Sequence, residues 1–194
     1  MNCSKSTCEM YRVRANGEYA TVCLSVWSRE TVAQPSQQVY GGEILVHSSF
    51  GTFCHTWNHC AVPFKQFLLG ISFESFMMKC LGEEFENFDG LASVASVKTA
   101  ILESRREEGL SADDARNLWD ELDLVSDEAQ SCECAFHHVL SDLCTEESIG
   151  ASTEFVVTTP SNQAKGFWRE LWPHFRAMLD AELKTDNYAS VQAA

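Results

Sequence analysis

The first 62 residues alternate between apolar and polar positions, which is typical of strands with one buried face. Asn16-Gly17 interrupts the first alternating stretch and favours a tight two-residue turn. Phe50-Gly51 interrupts the second stretch, where the glycine can adopt the positive φ that such a turn needs. We therefore predict two β-hairpins in a β-rich part, residues 1–62.

From Pro63 onward the apolar residues recur with the period of a helix, and residues 63–150 form a helical part. Pro63 suits the first turn of a long buried helix, and Gly82 suits its end. The next helix is predicted at Leu91–Glu108 and carries its apolar stripe on Val94, Val97 and Ile101. The two other predicted helices of this part span Ser111–Gln130 and residues 132–144.

The third part, residues 151–184, begins with "EFVVTT", which reads as a strand. A helix capped by Ser161 follows, and Pro173 should kink it. Residues 185–194 are expected to form a flexible tail. The order of elements lacks βαβ alternation, so we predict a single α+β domain over residues 1–184. Its mostly antiparallel sheet would combine the two hairpins with the late strand and pack with about five helices.

The length of 194 residues and the 45% hydrophobic content suit one ordinary core. No apolar run approaches the ~20 residues that span a bilayer, and the first residues lack the apolar segment of a secretory signal. We therefore expect a cytoplasmic protein without membrane contact. Its nine cysteines are then expected to be reduced thiols.

The negative charge is concentrated in one third of the chain. Residues 83–150 contain 4 Lys/Arg and 18 Asp/Glu, a net charge of −14, which equals that of the whole chain. Such a surface repels phosphate, which argues against direct binding of nucleic acid or of anionic membranes.

Much of this charge lies on the helix predicted at Ser111–Gln130. Ser111 and Asp114 resemble a capping box, and the apolar stripe of this helix leaves its carboxylates on the opposite face. Asp113, Asp120 and Asp127 recur every seven residues and would lie nearly in line. The face is either an ordinary solvated surface or a mimic of nucleic-acid phosphates. The residues predicted to contact a partner are Asp113, Asp114, Asp120, Glu121, Asp123, Asp127, Glu128 and Phe50.

A Cys-His cluster, "CHTWNHC", lies in the second hairpin. On a strand Cys54 and His55 point to opposite faces, so the stretch alone is not expected to supply four converging zinc ligands. We favour a role for these side chains in packing and on the hairpin surface, and we predict neither a bound metal nor a cofactor. If zinc is bound, the ligands would come from Cys54, His55, His59, Cys60, Cys132 and Cys134, with His137 or His138. A nucleophilic cysteine with His47 or His59 as its base is the least favoured alternative.

Two aromatic features each allow two interpretations. Phe50 at the hairpin tip is either an exposed anchor for a partner or a side chain folded back onto the sheet. In "FWRELWPHF", Trp168 and Trp172 lie one turn apart beside the apolar stripe. They would form either a stacking platform for bases or part of the core, and the acidic composition favours the core.

The stretch Gly41–Leu69 and the later "FWRELWPHF" resemble a group of small, largely uncharacterised proteins encoded in phages and prophages. This group shares an E-[IF]-L-[VI]-x-S-S-[FY]-G hairpin, a W…PFK-x-FL helix start, a charged middle helical pair and an aromatic C-terminal helix. The matching residues are Glu43, Leu45, Ser48, Ser49, Gly51, Trp57, Pro63, Phe64 and Lys65. The Cys-His cluster is not part of the shared pattern, which counts against a common metal site.

The resemblance implies a phage origin, and small acidic phage proteins without catalytic motifs often disable host machinery. We therefore expect a non-enzymatic inhibitor of a host nucleic-acid-binding protein or defence complex, of the anti-CRISPR or anti-restriction type. A zinc-binding protein is one alternative. An oligomeric phage structural or scaffold protein is the other, with Phe50 or the Trp168–Phe175 helix as its interface.

Overall fold

The computed structural model describes residues 5, 7–30, 38–143, 149 and 152–192, the last seven for the backbone alone. The chain divides into two compact units. The sheet unit comprises Met1–Phe85 with Ser161–Ala194, and the helical unit comprises Glu86–Pro160. The α+β class predicted from the sequence is confirmed. The single domain predicted for residues 1–184 thus corresponds to two compact units.

The sheet unit contains an antiparallel sheet in which four consecutive strands lie side by side. The strands are β1 (Glu9–Ala15), β2 (Glu18–Glu30), β3 (Gln38–Ser48) and β4 (Gly51–Cys60). Asn16 and Gly17 both have positive φ, at 53° and 84°, as a two-residue hairpin turn requires. Gly51 has φ 116° where the second hairpin turns back. Both predicted hairpins are confirmed.

One face of this sheet is buried because alternate residues of every strand point the same way. The core positions of the strands include Val13, Ala20, Val22, Leu24, Ile44, Val46, Phe53 and Trp57. A β-bulge between Tyr40 and Gly42 shifts the register against β4. This shift lets Trp57 and Cys60, three positions apart, both lie in the core.

The long helix predicted from Pro63 to Gly82 is two helices, α1 (Phe64–Gly70) and α2 (Phe73–Leu81). Ile71 is extended between them, and Ser72 caps α2 by accepting a hydrogen bond from the backbone N–H of Ser75 at 3.2 Å. The apolar pattern continues through the break, so periodicity alone does not reveal it. Gly82 ends α2 with φ 64°, as predicted. A 3₁₀ turn, Gly82–Phe85, completes this segment.

The C-terminal segment of the sheet unit is one aromatic-rich helical stretch. It comprises α7 (Asn162–Gly166), a π-helical turn (Phe167–Leu171) and α8 (Trp172–Gln192). Ser161 caps α7, as predicted, by accepting from Ala164 N at 3.2 Å. The π turn ends at Leu171, two residues before Pro173, whose missing N–H cannot join a regular ladder. Helix α8 continues to Gln192, past residue 185, where the sequence predicted the tail to begin.

The described residues of the helical unit include four helices and a two-stranded ribbon. The helices are α3 (Gly90–Arg106), α4 (Ala112–Leu124), α5 (Ser126–Ser131) and α6 (Glu133–Leu143). Strands β5 (Glu86–Phe88) and β6 (Thr158–Pro160) pair antiparallel in a separate small sheet, so the predicted late strand does not extend the main sheet. A 3₁₀ turn, Ser152–Phe155, occupies the first part of the predicted strand.

The core of the helical unit uses the stripes predicted from the sequence. Val94, Val97 and Ile101 of α3 are buried, as are Ala115 and Leu122 of α4. With Leu118, also on α4, they pack against residues of the later segments, Ala129, Phe136, Val139, Leu140 and Phe155. The helix predicted at Ser111–Gln130 breaks at Val125, which has φ −108° and ψ 9°. Ala129 continues the apolar spacing after Leu122 and Val125, so the break has no signature in the periodicity.

Candidate functional site

The two units differ sharply in charge. The helical unit contains 4 Lys/Arg and 17 Asp/Glu, a net charge of −13, whereas the sheet unit has a net charge of −1. The acidic segment predicted from the sequence therefore coincides almost entirely with one compact unit. Any electrostatic recognition of a basic partner would fall on this unit.

The seven predicted carboxylates are all exposed. They lie on α4 and α5 and form what we call the acidic face: Asp113, Asp114, Asp120, Glu121, Asp123, Asp127 and Glu128. Ser111 fixes the start of α4 because its hydroxyl accepts a hydrogen bond from Asp114 N at 3.1 Å. Burial of Ala115, Leu118 and Leu122 then directs the opposite side of the helix to solvent.

The line of three aspartates predicted at seven-residue spacing is only partly present. Asp113 and Asp120 share α4, where seven residues correspond to roughly 10 Å along the axis. Asp127 lies on α5, beyond the break at Val125. The carboxylates therefore lie on two short helices and not on the single helix expected from the sequence.

Two members of the acidic face have polar partners. Asp123 forms an ion pair with Lys98 of α3, and Asp114 Oδ2 accepts from the Ser111 hydroxyl at 2.6 Å. Within the described part of the chain, the other five have no ion pair and no side-chain hydrogen bond. These five are Asp113, Asp120, Glu121, Asp127 and Glu128. Like charges at such spacing on helices repel each other and lower stability slightly.

Phe50 does not occupy the exposed position proposed for an anchor. Its side chain is half-buried and packs against the core of the sheet unit. A β-carbon built on Gly166 would lie 2.3 Å from a ring carbon of Phe50, so the ring rests directly on the backbone of α7. The Ser48 hydroxyl accepts from Phe50 N at 3.2 Å and donates to Gly51 O at 2.8 Å, which holds the turn. The folded-back alternative is therefore what the structure shows.

The Cys-His cluster is divided between the two faces of β4. Cys54 is exposed, whereas His55 packs against Trp57 with ring centroids 4.5 Å apart. His59 is exposed, and Cys60 is buried. The four side chains of the cluster do not converge on one point.

The second cysteine pair lies in the helical unit. Cys132 and Cys134 are exposed at the start of α6, and His137 and His138 follow on that helix. His138 lies 3.2 Å from Asp142, and His137 lies 3.0 Å from the Ser152 hydroxyl. In the described residues, no group of three or more His, Cys, Asp or Glu side chains is placed to hold a metal ion.

Burial sets the chemistry of the inward-facing members of the β4 cluster. It raises the pKa of the Cys60 thiol above its ordinary value. Burial, with the charge of Lys79, also lowers the pKa of His55. A raised thiol pKa reduces the thiolate fraction, which is the reactive form of cysteine. Cys60 therefore behaves as a small core residue.

The aromatic segment Trp168–Phe175 belongs to the core, as the sequence favoured. Trp172 and Phe175 are each 1% exposed. Trp168 is half-buried and stacks on Trp172 with centroids 4.9 Å apart. The rings of Trp172 and Phe175 are therefore part of the core and not a stacking platform for bases.

Sequence reasoning missed a groove between α3 and α4 in the helical unit. It has a volume of about 230 Å³ and is lined in part by Arg105, Arg116 and Trp119. The basic residues of the unit are few, and three of them lie near Trp119: Arg105 and Arg116 line the groove with it, and Lys98 lies over its ring. The strong net negative charge of the segment hides this basic cluster in the sequence.

Comparison with known proteins identifies the chain at the level of a family. A family model described as a phage family matches residues 1–181. No curated protein and no solved structure matches the chain. Among the described helices, none is both long enough and apolar enough to cross a membrane.

Proposed function

Because the chain belongs to the phage family whose model covers residues 1–181, we propose that it is a phage-encoded inhibitor of a host protein. It acts without catalysis and places the acidic face of its helical unit in a basic nucleic-acid-binding groove. The target is a host defence protein of the CRISPR or restriction type, whose function depends on that groove.

The observation that carries this proposal is the concentration of uncompensated charge. The helical unit has a net charge of −13, and five carboxylates of the acidic face have no ion pair within the described residues. An ordinary solvated surface mixes both signs of charge. Charge of one sign on adjacent helices instead matches a partner of the opposite sign.

Electrostatic attraction would accelerate the encounter as well as stabilise the complex. A basic groove built for phosphates presents Lys and Arg side chains to an incoming polyanion. The acidic face would occupy the same positions and exclude nucleic acid by direct competition. Such binding weakens steeply as salt rises, since the Debye length falls from about 10 Å at 0.1 M to about 3 Å at 1 M.

The other two functional hypotheses have less support. A zinc site would need converging ligands, and the described cysteines and histidines do not provide them. An oligomeric scaffold was expected to use Phe50 or the Trp168–Phe175 helix. Phe50 rests on Gly166, and Trp172 and Phe175 are buried, so the aromatic residues expected to form such an interface contribute largely to the core.

The proposal is tested by affinity capture of host proteins on the tagged full chain, followed by elution with salt. The test variant carries Asp120→Lys, Glu121→Lys and Asp127→Lys. A matched control carries Glu30→Lys, Glu74→Lys and Glu84→Lys, which change the total charge equally at exposed positions of the sheet unit.

We expect capture of a nucleic-acid-binding protein by the wild type and the control but not by the test variant. Duplex DNA added in excess should release the captured protein. Equal capture by both variants, or capture that DNA does not affect, would contradict the proposal. Circular dichroism of each variant verifies that the fold is retained.

A further inference from the structure

The groove between α3 and α4 carries a local charge opposite to that of its unit. Helix α3 contributes Ile101, Leu102 and Arg105 to its lining, and α4 contributes Ala112, Ala115, Arg116, Trp119 and Asp120. The helical unit has only four Lys/Arg residues, Lys98, Arg105, Arg106 and Arg116. Two of them line the groove, and a third lies 4.9 Å from the ring centroid of Trp119.

The two arginines of the groove are not used elsewhere in the described structure. Neither Arg105 nor Arg116 has an ion pair or a side-chain hydrogen bond to any described residue. Asp120 follows Arg116 by one turn but forms no ion pair with it. Guanidinium groups bind phosphate strongly through paired N–H donors. Two such groups beside one groove favour an anionic ligand.

The remaining lining favours a flat apolar body on that ligand. Ile101 is buried at the base of the groove, and Leu102 is 39% exposed beside it. Trp119 lines the groove with an indole ring, one face of which is covered by Lys98, and a flat ring system can pack against the remainder of the indole. Asp120 places a carboxylate at the same groove, where it can accept hydrogen bonds from an amine group.

Asp120 belongs both to the groove and to the acidic face, whereas Arg105, Arg116 and Trp119 belong to the groove alone. From these three residues we propose that the groove binds a nucleoside monophosphate. The phosphate contacts Arg105 and Arg116, and the base packs against Trp119 and Leu102. The groove volume of about 230 Å³ lies below the common range for drug-sized ligands, roughly 300–1,000 Å³, so the ligand is small and partly exposed.

The start of α4 does not by itself explain an anion site here. Ala112 lines the groove in the first turn of α4, where backbone N–H groups attract anions. Asp113 and Asp114 occupy the same turn and already compensate the helix dipole. The phosphate is therefore assigned to the two guanidinium groups. The net charge of −13 on the unit opposes an anion at long range, but salt near 0.15 M screens charges beyond about 8 Å.

The experiment is calorimetric titration of the full chain with AMP, GMP, CMP and UMP at physiological salt. Three further ligands are titrated separately. Adenosine lacks the phosphate, ribose 5-phosphate lacks the base, and inorganic phosphate lacks the whole nucleoside. The test variant carries Arg105→Ala and Arg116→Ala, and the matched control carries Arg106→Ala. Arg106 is an exposed neighbour on α3 that does not line the groove.

We expect saturable 1:1 binding of at least one mononucleotide, with adenosine and inorganic phosphate binding more weakly. The double variant should bind at least about a hundredfold more weakly, because the phosphate loses a charged hydrogen bond to each of the two arginines. Arg106→Ala should leave the affinity unchanged. Replacing both groove arginines by lysine, which retains the charge but loses the paired donors, should give an intermediate affinity.

Three results would overturn the assignment. The first is the absence of saturable binding by all four mononucleotides. The second is equal affinity in the Arg105→Ala/Arg116→Ala double variant and in Arg106→Ala. The third is tight binding of a single-stranded oligonucleotide without binding of any mononucleotide, which would assign the groove to a polymer. All seven carboxylates of the acidic face remain unchanged in these variants, so the result is independent of the inhibitor proposal.

Discussion

The ring of Phe50 rests against Gly166, so closely that a β-carbon on Gly166 would lie 2.3 Å from the ring. This contact joins the tip of the second hairpin to the C-terminal helical segment within the sheet unit. It explains why Phe50 is half-buried although a hairpin tip is ordinarily exposed. Only glycine allows this approach of ring and backbone.

Gly166→Ala should lower the free energy of unfolding by about 1–3 kcal/mol, since the added methyl group overpacks the contact with Phe50. Urea unfolding followed by tryptophan fluorescence measures this change. Gly70→Ala is the control, because a β-carbon there meets nothing within 4 Å. The control should change stability by less than about 1 kcal/mol, in the stabilising direction. Equal effects of the two substitutions would show that the contact with Phe50 is not tight.

A second prediction concerns the hydroxyl of Tyr11, which lies 2.6 Å from Glu9 Oε2 and 2.8 Å from Glu182 Oε2. Burial and these two carboxylates raise the pKa of Tyr11 above its ordinary value of 10.0. A raised folded-state pKa contributes stability that is fully present below the unfolded pKa. This contribution is lost as the pH rises toward the folded-state value.

Tyr11→Phe should therefore lower the free energy of unfolding by about 1–2 kcal/mol at neutral pH. It should also reduce the loss of stability between about pH 9 and pH 11. Denaturant unfolding across this range is the measurement. Tyr19→Phe is the matched control, because the Tyr19 side chain is exposed and its hydroxyl has no hydrogen-bond partner among the described residues. A pH profile of Tyr11→Phe identical to that of the wild type would contradict the expected role of this hydroxyl.

A third prediction concerns thiol reactivity. Burial, with a smaller contribution from the nearby Cys54 thiol, raises the pKa of Cys80 to about 12, and burial also raises the pKa of Cys60. Both should react with iodoacetamide at least about tenfold more slowly than exposed cysteines, because the thiolate is the nucleophile. The exposed comparison residues are Cys8, Cys54, Cys132 and Cys134. Peptide mass spectrometry over time measures each rate, and urea should abolish the difference.

A fourth prediction concerns the repulsion within the acidic face. Asp120→Asn with Glu121→Gln should raise the free energy of unfolding by about 0.2–0.5 kcal/mol at low salt, since both carboxylates lie near Asp123 and the negative C-terminal end of α4. The gain should vanish at high salt because ions screen the repulsion. Asp123→Asn is the control and should not stabilise, because it removes the ion pair with Lys98. Stabilisation that is independent of salt would contradict an electrostatic origin.

The local features that the sequence predicts correctly are those set by a few neighbouring residues. Asn16-Gly17 determines the first hairpin turn, and Ser111 determines the start of α4. The buried stripe of α3 follows directly from its helical spacing. Such features depend on backbone conformation and capping within one turn, so no knowledge of the tertiary fold is needed.

The features that the sequence did not reveal depend on contacts between distant segments. The break at Val125 is not visible in the sequence because Ala129 continues the apolar spacing of the helix. Beyond this break, the backbone of Gln130 lies close to Gly90 of α3. A β-carbon on Gly90 would lie 2.4 Å from the Gln130 carbonyl oxygen. The position of Phe50 depends on Gly166 in the same way. The groove at Trp119 likewise requires two helices to be side by side before its arginines can be recognised as neighbours.

The most direct test of the central claim is a competition measurement on the partner protein obtained by affinity capture. Labelled duplex DNA bound to that partner is titrated with the wild-type chain at several salt concentrations. We expect complete displacement of DNA, with an apparent affinity that falls steeply as salt rises and is lost with Asp120→Lys, Glu121→Lys and Asp127→Lys. A complex in which the partner holds DNA and this protein at once, unaffected by the three substitutions, would contradict it.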